Sequence, residues 1–286
     1  MTGGPPLANP QAWVASVSEG FAAVADGYDT DGTEFFQQTG AWLVEMAGVP
    51  AEAWVLDVGC GKGAVALPAA WAVGPQGHVL GIDLAAPMLA HARDRAQQAG
   101  LSNVSFREGD AADLAWEPDT FDVVLGANVV QFLPRTAPAV TRWREVLVPC
   151  GLLGIAWTVG QEARWAPVLA AIDAYVPDGV PGFGAFMRRP PFGSAEAFEE
   201  LVTGCGFEHV ATVTREFTTT YTGPEQWWQV YQSQGPWAVS WRHIPPARLA
   251  RARRDAFAAL EDLRGPDGTL SRSLTIACTT GRKAEH

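Results

Sequence analysis

A doubly wound α/β fold, with a mostly parallel sheet and helices on both faces, is predicted by three observations. Short apolar runs alternate with segments of helical period between residues 53 and 158. The first run, 53–58, ends in a glycine loop that leads straight into a helical segment. The spacers are long enough to carry a crossover helix, which is what parallel pairing requires.

Taken in order, residues 1 to about 10 are rich in Gly and Pro and are expected to form an unstructured lead. Apolar spacing is helical over 12–27 and 33–47, where Phe35, Trp42, Leu43 and Met46 fall near one face. Residues 53–58 suit a buried parallel strand. Residues 64–73 form a helix that Gly74-Pro75 stops. The unit repeats: strand 78–82, helix 86–99 closed by Gly100, strands 104–108 and 121–127, helix 136–146 and strand 152–158. The rhythm then loosens. A helix is predicted over 165–175, a long Gly- and Pro-rich loop over 177–191, and a helix capped by Ser194 that ends at Gly204 or Gly206. Residues 208–221 alternate as a strand, 224–232 and 246–263 read as helices, and 271–280 closes the chain as a strand.

Composition narrows the function classes. The 286 residues are 48% hydrophobic and 18% charged, which describes a globular chain. The net charge of −11 argues against a nucleic-acid partner. The basic island Arg248, Arg251, Arg253 and Arg254 reads as a solvated helix face. Cys60, Cys150, Cys205 and Cys278 lie far apart, so neither a zinc site nor a disulfide framework is expected, and the thiols suit a reducing cytoplasm. No secretory leader and no membrane span is expected.

Residues 55–63 read VLDVGCGKG: strand, acid, then Gly59, Gly61 and Gly63, then helix. Glycines there allow a tight turn and close approach of backbone to a ligand, and the helix start offers free N–H groups. The loop also satisfies the dinucleotide pattern, with Ala64 in its last place. Asp83, at the end of the next strand, suits a carboxylate on ribose hydroxyls. Three further features favour another ligand. Asp57 stands just before the glycines, where a pyrophosphate gains nothing from negative charge but a cationic ammonium and sulfonium would gain. GDAADL sets Asp110 after the third strand, facing an adenine amino group. FDVVLGANVVQFL sets Asn128 and Gln131 after the fourth.

With these motifs, residues 55–158 resemble the class I S-adenosylmethionine-dependent methyltransferases of the small-molecule type. VLDVGCGKG is similar to the family's glycine motif, GIDLAAPML to its ribose motif and FREGDAADL to its adenine motif. FDVVLGANVVQFL and REVLVPCGLLGIAW are similar to the remaining ones. Cys150 departs from the family's Pro-Gly-Gly turn, but Gly151 remains. The resemblance implies a Rossmann-like seven-stranded sheet whose last strand is antiparallel beside strand five. It implies one domain over 1–286, with N-terminal cap helices over 12–47, a cofactor core over 53–158 and substrate-cap segments over 160–191 and 221–270. It also implies S-adenosylmethionine as cofactor and S-adenosylhomocysteine as product.

Carried over by position, Gly59, Gly61 and Gly63 admit the methionine end of the cofactor and Asp57 helps to orient it. Asp83 accepts from both ribose hydroxyls, Leu84 and Met88 flank the adenine, and Asp110 with the Ala111 N–H reads its edge. The Asn128 carbonyl faces the amino group. Two roles stay open for Tyr28, closure over the cofactor and core packing. Residues 128–131 read NVVQ, without the carboxylate of metal-dependent members, so no metal is expected.

Residues 226–241, QWWQVYQSQGPWAVSW, hold more aromatic surface than one helix packing on a sheet needs. Trp227, Trp228, Tyr231, Trp237 and Trp241, with Gln131, are therefore candidates for an apolar substrate pocket. Glue between cap and core, or a dimer contact, are the other readings. His243, in WRHIPP, is the candidate general base, with a structural role on the lid as its alternative. The expectation is a cytoplasmic, metal-independent methyltransferase of a small apolar or aromatic molecule in specialised metabolism, with oxygen favoured over carbon or nitrogen. It needs no nucleic acid or membrane partner, and a homodimer is possible. A cofactor-dependent cyclase, a non-catalytic cofactor-binding regulator and an NAD-dependent dehydrogenase are the rivals.

Overall fold

The computed structural model describes residues 9–29, 32–177, 194–234 and 244–285. Among them seven strands form one sheet: β1 (Trp54–Val58), β2 (His78–Asp83), β3 (Val104–Glu108), β4 (Phe121–Ala127), β5 (Leu147–Gln161), β6 (Phe207–Tyr221) and β7 (Leu270–Lys283). Their order is β3-β2-β1-β4-β5-β7-β6. The first five are parallel, and β7 runs antiparallel between β5 and β6. This is the Rossmann-like sheet that the sequence predicts.

The central strands β1, β4 and β5 sit inside because both of their faces are apolar. In β4, Val123 and Leu125 pack on one side while Val124 packs on the other. On the first face lie α2 (Phe35–Ala47), α3 (Ala66–Val73) and α4 (Ala86–Gln98). On the second lie α5 (Thr136–Val146) and α7 (Ala195–Gly204), whose buried Trp143 and Phe198 join the sheet there. The Ser194 hydroxyl accepts from the Ala197 N–H at 3.3 Å and caps α7 as expected. α1 (Pro10–Val24) crosses the edge of the sheet, fixed by the Ser18 hydroxyl on the Leu84 carbonyl and by the Trp13 indole on the Phe132 carbonyl. α2 lies close on the glycine loop, since a side chain at Gly40 would overlap the Ala64 carbonyl.

A third core belongs to the cap. It joins α6 (Ala166–Asp173), α8 (Pro224–Ser233) and α9 (Pro246–Glu261) to the ends of β6 and β7. Trp165, Trp227, Trp228, Tyr231 and Leu260 are buried there. The spacing 227, 228, 230 and 231 is one face of a helix, and all four positions are buried.

The main departure from the predicted elements is length. β5 starts at Leu147 and ends at Gln161 and β7 covers Leu270–Lys283, whereas β6, at Phe207–Tyr221, matches its prediction to within one residue. The β6–β7 pairing is long and antiparallel, and it carries these strands past the end of the parallel sheet to become a wall of the cap. The expected loop over 177–191 lies, but for residue 177, outside the described residues.

Cys150 takes the left-handed backbone region, with φ 61°, in the turn where the family places glycine. Its side chain is exposed and free, so little packing opposes the change. A left-handed non-glycine residue costs about 1–2 kcal/mol, and glycine returns about 0.5–1 kcal/mol of that as unfolded-state entropy. Cys150→Gly is therefore expected to stabilise the chain by up to about 1 kcal/mol in urea unfolding. A clear loss of stability would show that the thiol contributes packing.

Candidate functional site

The strand order reverses between β1 and β4: from β1 the chain moves outward to β2 and β3, then returns to β4. Loops leaving neighbouring strands in opposite directions open a crevice at the carboxyl ends. A cavity lies there, with an empty volume of about 1700 Å³ including its open mouth.

The lining follows the strand order. Asp83, Leu84 and Met88 come from the end of β2 and the start of α4, and Asp110 and Ala111 from the end of β3. Gly59 and Gly61 come from the β1 loop, Asn128 and Gln131 from the end of β4, and Thr158 from β5. Thr219, Tyr221 and Arg272 come from β6 and β7. Tyr28, from the α1–α2 joint, and Tyr231, at the cap side, complete the lining.

Several of these side chains are already aimed. Asp83 accepts from the Gly61 N–H and the Ala85 N–H, each at 2.9 Å. Burial raises its pKa, against the pull of those amides and that of Leu84. Asp110 accepts from the Ala112 N–H at 2.8 Å, which fixes the loop after β3. Asn128 sits at φ 53°, a left-handed conformation that asparagine tolerates better than most residues. Its side-chain oxygen accepts from the Thr158 hydroxyl at 3.4 Å. The Gln131 Oε1 is buried without a hydrogen-bond partner. Gly61, at φ 51°, has nothing near where a Cβ would stand, so a side chain there would enter the cavity.

Not every sequence candidate reaches the cavity. Asp57 is fully buried behind the glycine loop and does not line it. Gly63 also stands back from it, its α-carbon facing Leu67. Trp227 and Trp228 are packed in the cap core rather than on the lining, because the buried face of α8 turns toward Trp165 and Phe257. Of the aromatics on α8, Tyr231 alone lines the cavity among the described residues. Trp237, Trp241 and His243 lie outside the described residues.

Other lining residues carried no sequence signal. Phe21, Phe36 and Phe132 form an aromatic group around Tyr28, whose ring stacks on Phe36 at 4.9 Å and meets Phe21 edge-on at 6.0 Å. Lys62 is buried and donates to the carbonyls of Tyr28 at 2.6 Å and Asp26 at 3.4 Å, and burial lowers its pKa. Arg95 grips Asp29 through its carboxylate and its carbonyl, both at 2.9 Å. Together they fasten the α1–α2 joint over the glycine loop. Cys60 lines the cavity, and burial pushes its thiol pKa well up, which disfavours the thiolate. Among the described residues, no three His, Cys, Asp or Glu side chains are arranged to hold a metal ion. None of their helices is long and apolar enough to cross a membrane.

Burial drives the Asp57 pKa up to about 8. The Ala66 N–H opposes this and the Asp83 charge adds to it. An unfolded aspartate titrates near about 3.9. Between those values the folded chain keeps a proton that the unfolded chain has lost. Stability from this residue is therefore full below about pH 4, falls as pH rises toward about 8 and is flat above. Across that window Asp57→Asn should gain on the wild type by up to about 1.4 kcal/mol per pH unit in urea unfolding. Parallel pH profiles would contradict the shift.

The family model described as a methyltransferase domain matches residues 55–151. Nocamycin O-methyltransferase of Saccharothrix syringae is 31% identical over 272 residues, covering 92% of this chain and 96% of that protein. Aklanonic acid methyltransferase DauC of Streptomyces sp. (strain C5) is 40% identical over 131 residues, 46% of this chain and 60% of that protein. Among solved structures, the [4+2]-cyclase SpnF is similar in fold, with a TM-score of 0.57 at 22% identity over 100% of both chains. The sheet order, the crevice at its reversal point and a relative matched along nearly its whole length agree. The chain belongs to the class I S-adenosylmethionine-dependent methyltransferases, enzymes that take S-adenosylmethionine as cofactor.

Proposed function

We propose that this enzyme methylates an oxygen of a small, largely apolar or aromatic molecule of specialised metabolism. The observation that carries the reading is the cavity itself. It is walled by Phe21, Phe36, Phe132 and Tyr231, and it runs from the cofactor motifs to the cap. The full-length similarity to nocamycin O-methyltransferase supports oxygen as the acceptor atom.

The residues present fit the cofactor: the cradle at Gly61 has room that a Cβ would fill, and Gln131 keeps a buried acceptor without a partner. When bound, S-adenosylmethionine supplies the activated methyl group. Asp83 takes the ribose hydroxyls, and its hold on the Gly61 N–H ties that contact to the glycine loop. Leu84 and Met88 flank the adenine, and Asp110 with the Ala111 N–H reads its edge. The Asn128 carbonyl faces the amino group. Asp57, behind the loop, acts on the methionine end through the start of α3 and not by direct contact. Tyr28 and its aromatic neighbours exclude water and align the acceptor, which is most of what an in-line displacement asks of a protein. Segments 160–191 and 221–270, as the cap, select the acceptor. His243 is the candidate for removing a proton from a hydroxyl acceptor.

The test is calorimetry with S-adenosylhomocysteine, followed by transfer of labelled methyl to a panel of phenols, aromatic acids and amines. Asp83→Ala should weaken cofactor binding by about 10- to 100-fold, the worth of a charge-assisted hydrogen-bond pair. Label should appear in oxygen acceptors. Unchanged affinity would remove Asp83 from the site, and label confined to amines would overturn the oxygen reading.

A further inference from the structure

We propose that Arg272 is the specificity residue for the acceptor and that the acceptor carries an anionic oxygen group, such as a carboxylate or an ionised enol, on its apolar frame. This rests on the methyl-transfer reading and names the substrate class of that site.

The alternation of β7 places Leu270, Arg272 and Leu274 on one face, opposite Tyr221, Thr219 and Phe217 of β6. That face is otherwise apolar or hydroxylic, and it walls the cavity. Arg272 is only 5% exposed, yet among the described residues no carboxylate pairs with it. The nearby Glu162 is taken by Arg164 at 2.7 Å. One Arg272 nitrogen donates to Gln161 Oε1, and Nε is buried with no partner. The rings of Trp165 and Tyr231 lie 5.7 and 5.4 Å from the guanidinium carbon.

A guanidinium stays charged at any working pH, and burying it unpaired is strongly unfavourable. Two ring faces offset part of that penalty. They also hold the fork in place while leaving donors for a planar oxygen pair. An arginine kept in this state, inside a binding cavity, is a site for an anion.

Position decides whose anion it is. β7 lies two strand spacings from β4, about 10 Å, and four from β2, about 19 Å. The cofactor motifs end at Asn128 and Gln131, just after β4. Arg272 therefore stands beyond the methionine end, on the acceptor's side. The buried aromatics of the cap gain a role here too, since Trp227 stacks on Tyr231 at 4.7 Å and so backs the ring that holds the guanidinium.

The experiment uses the full chain saturated with S-adenosylhomocysteine and two probes of one shape, 2-naphthoate and 2-naphthamide, titrated by calorimetry. The wild type should bind the carboxylate about tenfold more tightly, about 1.4 kcal/mol. Arg272→Met should bind the two equally, and Arg272→Lys should keep part of the preference. S-adenosylhomocysteine affinity should not change in either variant. Equal affinities in the wild type, no measurable binding of 2-naphthoate, or a preference that survives in Arg272→Met would each overturn the proposal. A matching loss of S-adenosylhomocysteine affinity would overturn it as well, by assigning Arg272 to the cofactor's own carboxylate. If Arg272→Met does not fold, the wild-type pair of probes decides alone. Failure of the wild type to bind S-adenosylhomocysteine would refute the methyl-transfer reading instead, and the probe preference is then measured on the chain by itself.

Discussion

Everything functional in this molecule depends on β1 pairing in parallel with β2 on one side and β4 on the other. That double pairing buries Val55, Leu56 and Val58 on alternate faces and fixes which end of the sheet carries the loops. It also makes the chain leave β1 in one direction and come back on the other side, so the loops part and a crevice opens. The remaining strands extend the row, and each adds its end to the same edge. β7 is antiparallel, so it brings its beginning there, with Arg272, where its neighbours bring their ends. The cavity is thus ordered by the sheet: Asp83 and Asp110 at one extreme, the glycine loop and Asn128 in the middle, Thr158 next, Thr219 and Arg272 last.

The α1–α2 joint is tied to this edge by charge as well as by packing. Lys62 belongs to the glycine loop, yet it spends its ammonium on carbonyls of the α1–α2 joint. Desolvation of that ammonium is unfavourable, and it is offset by two carbonyl contacts and by the nearby Asp29 and Asp26 charges. Arg95, from α4, holds the same joint through Asp29. The glycine loop and the α1–α2 joint are consequently held together. Displacing Tyr28 would strain the Lys62 contact with its carbonyl.

Much of this was legible in the sequence, and for identifiable reasons. Residues 121–127 and 136–146 were read to the residue, because a doubly buried strand and an amphipathic helix carry strong local periods. The glycine loop, Asp83, Asp110 and Asn128 were legible because they sit where strands end, and a strand end is marked by its own sequence. The lengths of β5 and β7 were not, because their outer parts are stabilised by pairing with neighbouring strands. Trp227 and Trp228 were placed in the pocket on composition. The 227, 228, 230, 231 spacing showed a buried face but not which neighbour would cover it. Asp57 was read correctly as an acid next to the loop, but its depth came only with the fold. Arg272 had a signal that is easy to overlook: residues 270, 272, 274, 276 and 278 share one face of a strand, and four of the five are apolar. An arginine in that register has to be either exposed at an edge or kept for a ligand.

The measurement that tests the account most directly is the crystal structure of the complex with S-adenosylhomocysteine. The account predicts adenosine between Asp83 and Asp110 and the homocysteine end between Gly61 and Asn128. The stretch from Thr158 to Arg272 should remain open for the acceptor. A cofactor product lying across that stretch, with its carboxylate on Arg272, would contradict the division of the cavity along the strand order.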